Sequence, residues 1–384
     1  MEAKKPRKTG LAKLLALILA LAMIAAACGD SDSETSAGDG GDDGGDEMSM
    51  PGEGVTITMG KADWTTEDPN AYVAKAVLEE LGYTVTDPAD LELGPSNAYI
   101  AMAQGDMDFW INSWYPGHKS WLANEMPDGT TVGDHVTVVG EMMMAGGLQG
   151  YLMTKSFAEE YDIKSLDDLN NNPEAIAAYD AQDPEPGNGK ADIYGCQESY
   201  TCDDIITSQI AFSGWENIGQ VIAGYDAMVA EAITKADAGE PMVTYTWTPS
   251  AYITKLRPGD NVVWLTVDEV IDDSNPTGVE GGEEHSQLPG TAGIGTDQCP
   301  GSVDGQCQLG WVAADIQATA NSEWLEANPA AKAFLEQFQM SVLEVSVMNV
   351  EMDNGADPAA LATQWIADNR DVVDGWLEAA RAAA

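Results

Sequence analysis

The sequence predicts an α/β fold, in which strands and helices alternate and helices cover the faces of sheets. Three observations predict it. Residues 54–60 (Gly-Val-Thr-Ile-Thr-Met-Gly) alternate apolar and polar, as a half-buried strand does. Asp68-Pro69 then opens a helix, and Gly82 closes it before a strand restarts at Tyr83-Thr84-Val85. The C-terminal part reads as helical, with cap-plus-proline starts at Asn328-Pro329 and Asp357-Pro358. A βαβ opening of this kind places helices against a sheet.

Each element follows in order. Asp68 is the expected N-cap and Pro69 the first helical residue, with Val73, Ala74, Val77, Leu78 and Leu81 as the apolar face. A second helix over 96–104 leads to a strand over 107–111. Ser165 and Asp168 have the spacing of a capping box. Phe334, Leu335 and Phe338, then Leu361 and Trp365, give the apolar faces of two C-terminal helices. Trp264, Trp311 and Trp365 are expected in the core. Loops rich in Gly, Pro and Asp are expected at 180–203 and 273–310. Asp183, Glu185, Asn188 and Asp192 suggest a calcium loop by composition, but their spacing does not fit one, and a solvated loop is the better reading. There is no 20–50-residue repeat and no heptad pattern.

The 384 residues suit two or three folding units, and 44% hydrophobic content is enough for a core. With 17 Lys and Arg against 64 Asp and Glu, the formal net charge is −47. That excludes nucleic acid and anionic lipid surfaces as natural partners, since both need basic patches. The bland reading of the charge is a solvated acidic surface. The aromatic balance is unusual, 11 Trp against 5 Phe, and Trp offers the strongest π-face to a cation.

Residues 1–27 read as a signal peptide. Lys4, Lys5, Arg7, Lys8 and Lys13 form a basic start, and residues 14–27 are an unbroken apolar run of 14. That run is shorter than the roughly 20 residues a spanning helix needs, and suits a signal core. It ends Ala25-Ala26-Ala27-Cys28, similar to the lipobox of bacterial lipoproteins, with Ala25 where Leu is usual. The alternative is a plain cleaved signal with an incidental Cys. Residues 28–53 then read as a lipidated Cys28 and a disordered acidic linker, with eight acids between 29 and 50.

The other cysteines form two close pairs, Cys196 with Cys202 and Cys299 with Cys307. Two local disulfides fit an exported protein. Zinc is the alternative, against which neither pair has the CxxC spacing and only His285 is near. No enzyme constellation appears: no GxSxG, HExxH, P-loop or GxGxxG. The three His are His118, His135 and His285. The sequence calls for no metal and no cofactor.

Four short stretches carry a specific resemblance. They are Asn112-Ser113-Trp114-Tyr115-Pro116-Gly117-His118, Gly189-Lys190-Ala191-Asp192-Ile193-Tyr194-Gly195-Cys196 running on to Cys202, Tyr245-Thr246-Trp247-Thr248-Pro249, and Val262-Val263-Trp264-Leu265. Leu148-Gln149-Gly150-Tyr151-Leu152 is a fifth, weaker one. In order and spacing they resemble the glycine betaine/proline betaine substrate-binding proteins of osmoprotectant ABC transporters. The resemblance implies a two-lobed periplasmic-binding-protein fold (type II-like) with a hinge and a ligand cleft between lobes. It places lobe 1 at 54–147 and 309–384, and lobe 2 at 148–308, with an insertion at 273–307. It implies a monomer with an ABC permease as partner, and the lipidated Cys28 and acidic tether read as holding that body at the outer face of the bacterial membrane by lipid alone.

A trimethylammonium group has no N–H to donate, so it is selected by a dry box of aromatic faces, each contact worth about 0.5–2 kcal/mol. Carried over by position, that box is Trp114, Tyr200 and Trp247, with Tyr200 standing where relatives usually have Trp. Trp64 is a candidate fourth wall. The ligand carboxylate would meet His118 and the backbone N–H groups of Thr201 and Cys202, at a helix start that favours anions. Trp247 could instead be core, Tyr200 a surface aromatic, and His118 a residue that only ties its own turn. Some choline-binding relatives carry Asp two positions after the aromatic at 64; here that position is Thr66. The alternatives are choline or carnitine as ligand, or an extracellular sensor domain without transport.

Overall fold

Gly82 adopts φ +92°, a left-handed turn that ends the helix Asp68–Glu80 and returns the chain toward the sheet. The computed structural model describes residues 50–198, 200–267, 291–311 and 313–384. The expected signal peptide, Cys28, the linker to residue 49 and residues 268–290, where the sequence leads one to expect a loop, lie outside the described residues. Val73, Ala74, Val77 and Leu78 are buried on the face the sequence indicates. The N-cap is Glu67, one residue earlier than expected, so Asp68 begins the helix and Pro69 follows within the first turn. The proline's missing N–H costs nothing there, because first-turn amides have no partner inside the helix.

The expected strand over 54–60 is two short strands. Thr56–Ile57 pairs in parallel with Thr84–Val85, and Lys61–Ala62 pairs in parallel with Glu92–Leu93. Between them the ladder is interrupted because Thr58 N–H donates to Asp108 at 2.6 Å and Met59 N–H to Thr86 Oγ1 at 3.0 Å. The strand expected over 107–111 lies at Phe109–Tyr115. Its start is delayed because the Asp106 and Met107 N–H groups close the preceding helix, Pro95–Gln104, on the Ala101 carbonyl. The box at Ser165 and Asp168 is present, and Asp357 accepts from Ala360 N–H at 2.9 Å.

Two sheets organise the rest. In a three-stranded antiparallel sheet, Ala314–Asn321 lies between Phe109–Tyr115 and Val136–Gly147. In a five-stranded mixed sheet the order is Val262–Leu265, Gln149–Thr154, Val243–Trp247, Ala191–Tyr194, Ile218–Val221. Leu148 alone separates Val136–Gly147 of the first sheet from Gln149–Thr154 of the second. The C-terminal helices Pro329–Gln337, Val342–Asp353, Pro358–Asp368 and Arg370–Ala383 join Asp68–Glu80 in one apolar cluster that includes Phe334, Phe338 and Trp376. Trp264, Trp311 and Trp365 are buried.

Both cysteine pairs are disulfides, Cys196–Cys202 with Cα atoms 5.8 Å apart and Cys299–Cys307 at 6.1 Å. The segment 180–203 is less of a loop than its composition suggests, since it contains the strand Ala191–Tyr194 and the start of the helix Thr201–Phe212. Its carboxylates take backbone donors: Asp180 accepts from Gly187, Asn188 and Gly189, and Asp183 from Glu185 and Asp192. Among the described residues no group of three or more His, Cys, Asp or Glu is placed to hold a metal ion, and no helix is long and apolar enough to cross a membrane.

Candidate functional site

Strand ends and helix starts from both sheets converge on one pocket with about 460 Å³ of empty space, open to solvent. Trp64, Trp114, His118, Tyr200, Thr201, Cys202 and Trp247 all line it. Among the described residues, none that lines it is Lys, Arg, Asp or Glu.

Each aromatic wall has its own support. Trp64 precedes the short 3-10 turn Thr65–Glu67 and is buried. Trp114 lies near the end of its strand and donates its indole N–H to Asn112 Oδ1 at 2.6 Å. Its ring crosses Gly147 so closely that a Cβ there would sit 2.5 Å from Cζ3. Trp247 ends its strand directly opposite Gln149 and donates its indole N–H to Thr66 Oγ1 at 3.3 Å. It also packs on Tyr225, ring centroids 4.1 Å apart, so it belongs to core and pocket alike. Tyr200 sits at the N-cap position of the helix Thr201–Phe212 without a side-chain capping bond and is buried, its ring meeting Trp64 edge-on at 4.9 Å. Gln197 Nε2, on the same disulfide-closed loop, donates to Asp63 Oδ2 at 3.2 Å. Contacts from the Trp64 turn thus reach both the Tyr200 loop and the Trp247 strand.

His118 is tied to its turn and also faces the pocket. The Trp114 backbone N–H donates to His118 Nδ1 at 3.1 Å, and the His118 N–H returns to the Trp114 carbonyl at 2.8 Å. The imidazole stacks on Trp110, centroids 5.5 Å apart, and meets Tyr99 edge-on at 5.6 Å. Burial pushes its pKa down to about 3, so the ring is neutral at ordinary pH. Since Nδ1 accepts, the proton sits on Nε2.

Thr201 and Cys202 are the first residues of their helix, where amides have no carbonyl partner within it. The Thr201 hydroxyl is buried with no hydrogen-bond partner among the described residues. Asp203 and Asp204 occupy the same first turn; burial first, then the charges of Asp204 and Glu198, push Asp203 up to about 6.

Sequence reasoning did not single out Pro95, Gly117, Gln149, Ile205 or Tyr245, which also line the pocket. Gln149 had a signal: it is a lone amide at the head of a mostly apolar strand, and it accepts the Tyr245 phenol at 2.5 Å.

Chemically, the pocket joins π-faces that cannot hydrogen-bond a ligand cation to neutral N–H donors that suit an anion. Its described lining residues carry no net charge of their own. A zwitterion with a quaternary ammonium end and a carboxylate end matches both halves.

Residues 55–368 match the family described as the substrate-binding domain of ABC-type glycine betaine transport systems. The chain belongs to this family. The glycine betaine-binding periplasmic protein OusX of Dickeya dadantii (strain 3937) is 30% identical over 340 residues, 87% of this chain and 92% of its own length. The glycine betaine/proline betaine-binding periplasmic protein of Escherichia coli (strain K12) is 29% identical over 339 residues, again 87% and 92%. Among solved structures, lactococcal OpuAC in its closed-liganded conformation with glycine betaine superposes with a TM-score of 0.58 at 16% identity, covering 84% of this chain and 99% of that one. An ABC-transporter choline-binding protein in complex with choline gives 0.59 at 17%, covering 85% and 96%. At those identities the likeness is one of fold: the two-lobed α/β fold of periplasmic binding proteins. The family is one of transport binding proteins, and this member is not an enzyme.

Proposed function

We propose that the chain is an extracytoplasmic solute-binding lipoprotein that captures glycine betaine or proline betaine and delivers it to the permease of an ABC importer, for osmoprotection. The supporting observation is the composition of the pocket. Four of its five Trp and Tyr residues, Trp64, Trp114, Tyr200 and Trp247, form the cage and share the pocket with the neutral His118 and the first two residues of a helix. The aromatic faces receive the trimethylammonium group, and His118 Nε2–H with the Thr201 and Cys202 amides receives the carboxylate. The donors favour a betaine over choline, which has no carboxylate to meet them.

The lobes in this reading are 54–147 with 309–384, and 148–308. They close over the ligand by hinge motion, and the transporter reads the closed form. Cys28, diacylated after cleavage behind Ala27, tethers the monomer to the membrane through the acidic linker.

Calorimetric titration with glycine betaine, proline betaine, carnitine and choline tests the reading. Saturable one-to-one binding of a betaine, tighter than choline, supports it. Tighter binding of choline moves the function to the choline alternative, and no binding of any quaternary amine ends it. Intact mass of protein purified from membranes tests the anchor, which fails if Cys28 carries no lipid.

A further inference from the structure

Glu67 carries a fully buried carboxyl group behind the pocket and does not line it. Its two oxygens accept the Trp110 indole N–H at 2.8 and 3.0 Å, and Oε2 accepts the Ala62 N–H at 2.6 Å. Trp110 is itself fully buried and does not line the pocket. Its ring is nevertheless the surface on which two lining residues rest, His118 stacked at 5.5 Å and Trp64 tilted at 5.9 Å. A carboxyl group in such a place is costly unless something uses it: burial penalises its charge so strongly that at neutral pH it is held largely as the neutral acid. Lys61 offsets part of that cost by its charge, but is itself engaged at 2.9 Å with both Asp68 and Glu92. An apolar side chain at 67 would fill the space without fixing the indole.

We infer that Glu67 is a positioning residue for the pocket, clamping the Trp110 indole in the orientation that seats His118 and Trp64. The inference rests on the betaine reading and deepens it. One indole backs both halves of the ligand: Trp64 for the ammonium group and His118 for the carboxylate. Loosening it therefore reduces betaine binding at two points and choline binding at one. A residue that only stabilised the fold would weaken both ligands by the same factor.

The test compares Glu67→Leu, Glu67→Gln and Trp110→Phe in calorimetry with glycine betaine and choline. Glu67→Leu and Trp110→Phe are expected to weaken glycine betaine about tenfold, and choline clearly less. Glu67→Gln, which keeps an acceptor, restores most of the loss. The double variant loses no more than either single one, since both remove the same hydrogen bond. Equal factors for the two ligands, additive losses, or unchanged affinity overturn the clamp. If Glu67→Leu does not fold, the betaine-to-choline ratio of Trp110→Phe decides by the same criteria. A ligand-free measurement separates this inference from the functional reading. The His118 ring proton resonances are expected to shift in Glu67→Leu and return in Glu67→Gln. If the wild type binds neither ligand, the betaine reading falls, and unshifted His118 resonances overturn the clamp independently.

Discussion

The backbone N–H of Trp114 donates to His118 Nδ1 at 3.1 Å, and this bond decides what the histidine can do. A backbone amide can only donate, so Nδ1 must keep its lone pair and Nε2 must carry the proton. Protonating the ring would break that bond inside an aromatic nest of Trp110, Tyr99 and Tyr115. His118 therefore meets a carboxylate as a neutral donor and not as a cation.

Two consequences are measurable in one titration series. With a pKa near 3, His118 keeps the same protonation state across ordinary pH, so its contribution to betaine affinity is flat between about pH 5 and 8. An affinity that rose several-fold toward pH 5 would mean that the imidazolium is the binding form. His118→Ala is expected to weaken glycine betaine about tenfold and leave choline nearly unchanged, because only the betaine loses an acceptor for Nε2–H.

Gly147 makes room for the Trp114 ring. A Cβ at 147 would lie 2.5 Å from Cζ3 and 2.8 Å from Cε3 of that indole, and 2.9 Å from the Ala314 Cβ. Gly147→Ala is therefore expected to push the indole off its Asn112 hydrogen bond and weaken betaine binding about tenfold, the loss of about one cation–π contact. The check is calorimetry beside thermal unfolding. Wild-type affinity would show that the strand gives way and the ring keeps its place.

Much of the site was legible because its residues sit in short, ordered stretches. Asn112 to His118 contains an indole, the amide that orients it and the imidazole, all within one strand end and turn. The helix signals were equally local, since Pro marks a start whatever packs on the helix, but of the three expected cap-plus-proline starts only Asp357 caps with its side chain: Glu67 takes the N-cap ahead of Asp68, and Asn328 turns its amide to the Trp324 carbonyl. What was not legible depends on pairs far apart in sequence. Glu67 read as one more acid among 64, and only the approach of Trp110, 43 residues on, makes it a buried acceptor. Gln149 and Trp247 face each other only through sheet register. The break in the 54–60 strand needs Asp108 and Thr86, whose side chains take amides that the alternating pattern assigns to a neighbouring strand.

Glu67 should also be visible in the pH dependence of stability. Burial pushes it up to about 8, against the Trp110 and Ala62 donors and the Lys61 charge, which pull it down. Between its unfolded value of 4.5 and about 8, the native state holds a proton that the unfolded chain has released. Its contribution is thus fully present below 4.5 and is lost as pH rises toward 8. His118 has the opposite sign: its contribution is lost as pH falls from 6.5 toward 3. Between about pH 6.5 and 8 Glu67 acts without that opposition. Denaturant unfolding is expected to show stability declining across this window in the wild type, and a flatter profile in Glu67→Gln. Parallel profiles would place the proton on another group.

The aromatic cage gives the last prediction. Trp114→Ala and Trp247→Ala each remove a π-face and admit water, and each is expected to weaken glycine betaine roughly 5–30-fold, for about 1–2 kcal/mol per contact. The two differ in what else they disturb. Trp114 is half-buried, so its loss should leave the melting temperature nearly intact. Trp247 packs on Tyr225 at 4.1 Å and bonds Thr66, so its alanine variant should melt lower as well. Trp247→Phe separates the two effects: it keeps a face and most of the packing but cannot donate to Thr66. It should recover the melting temperature before it recovers full affinity. Tyr200→Trp should preserve or strengthen binding, since the indole is the stronger face for a cation. If Trp114→Ala and Trp247→Ala both bound glycine betaine with wild-type affinity, the ammonium group would have to sit elsewhere, and the assignment of the cage would fall even though the fold remained.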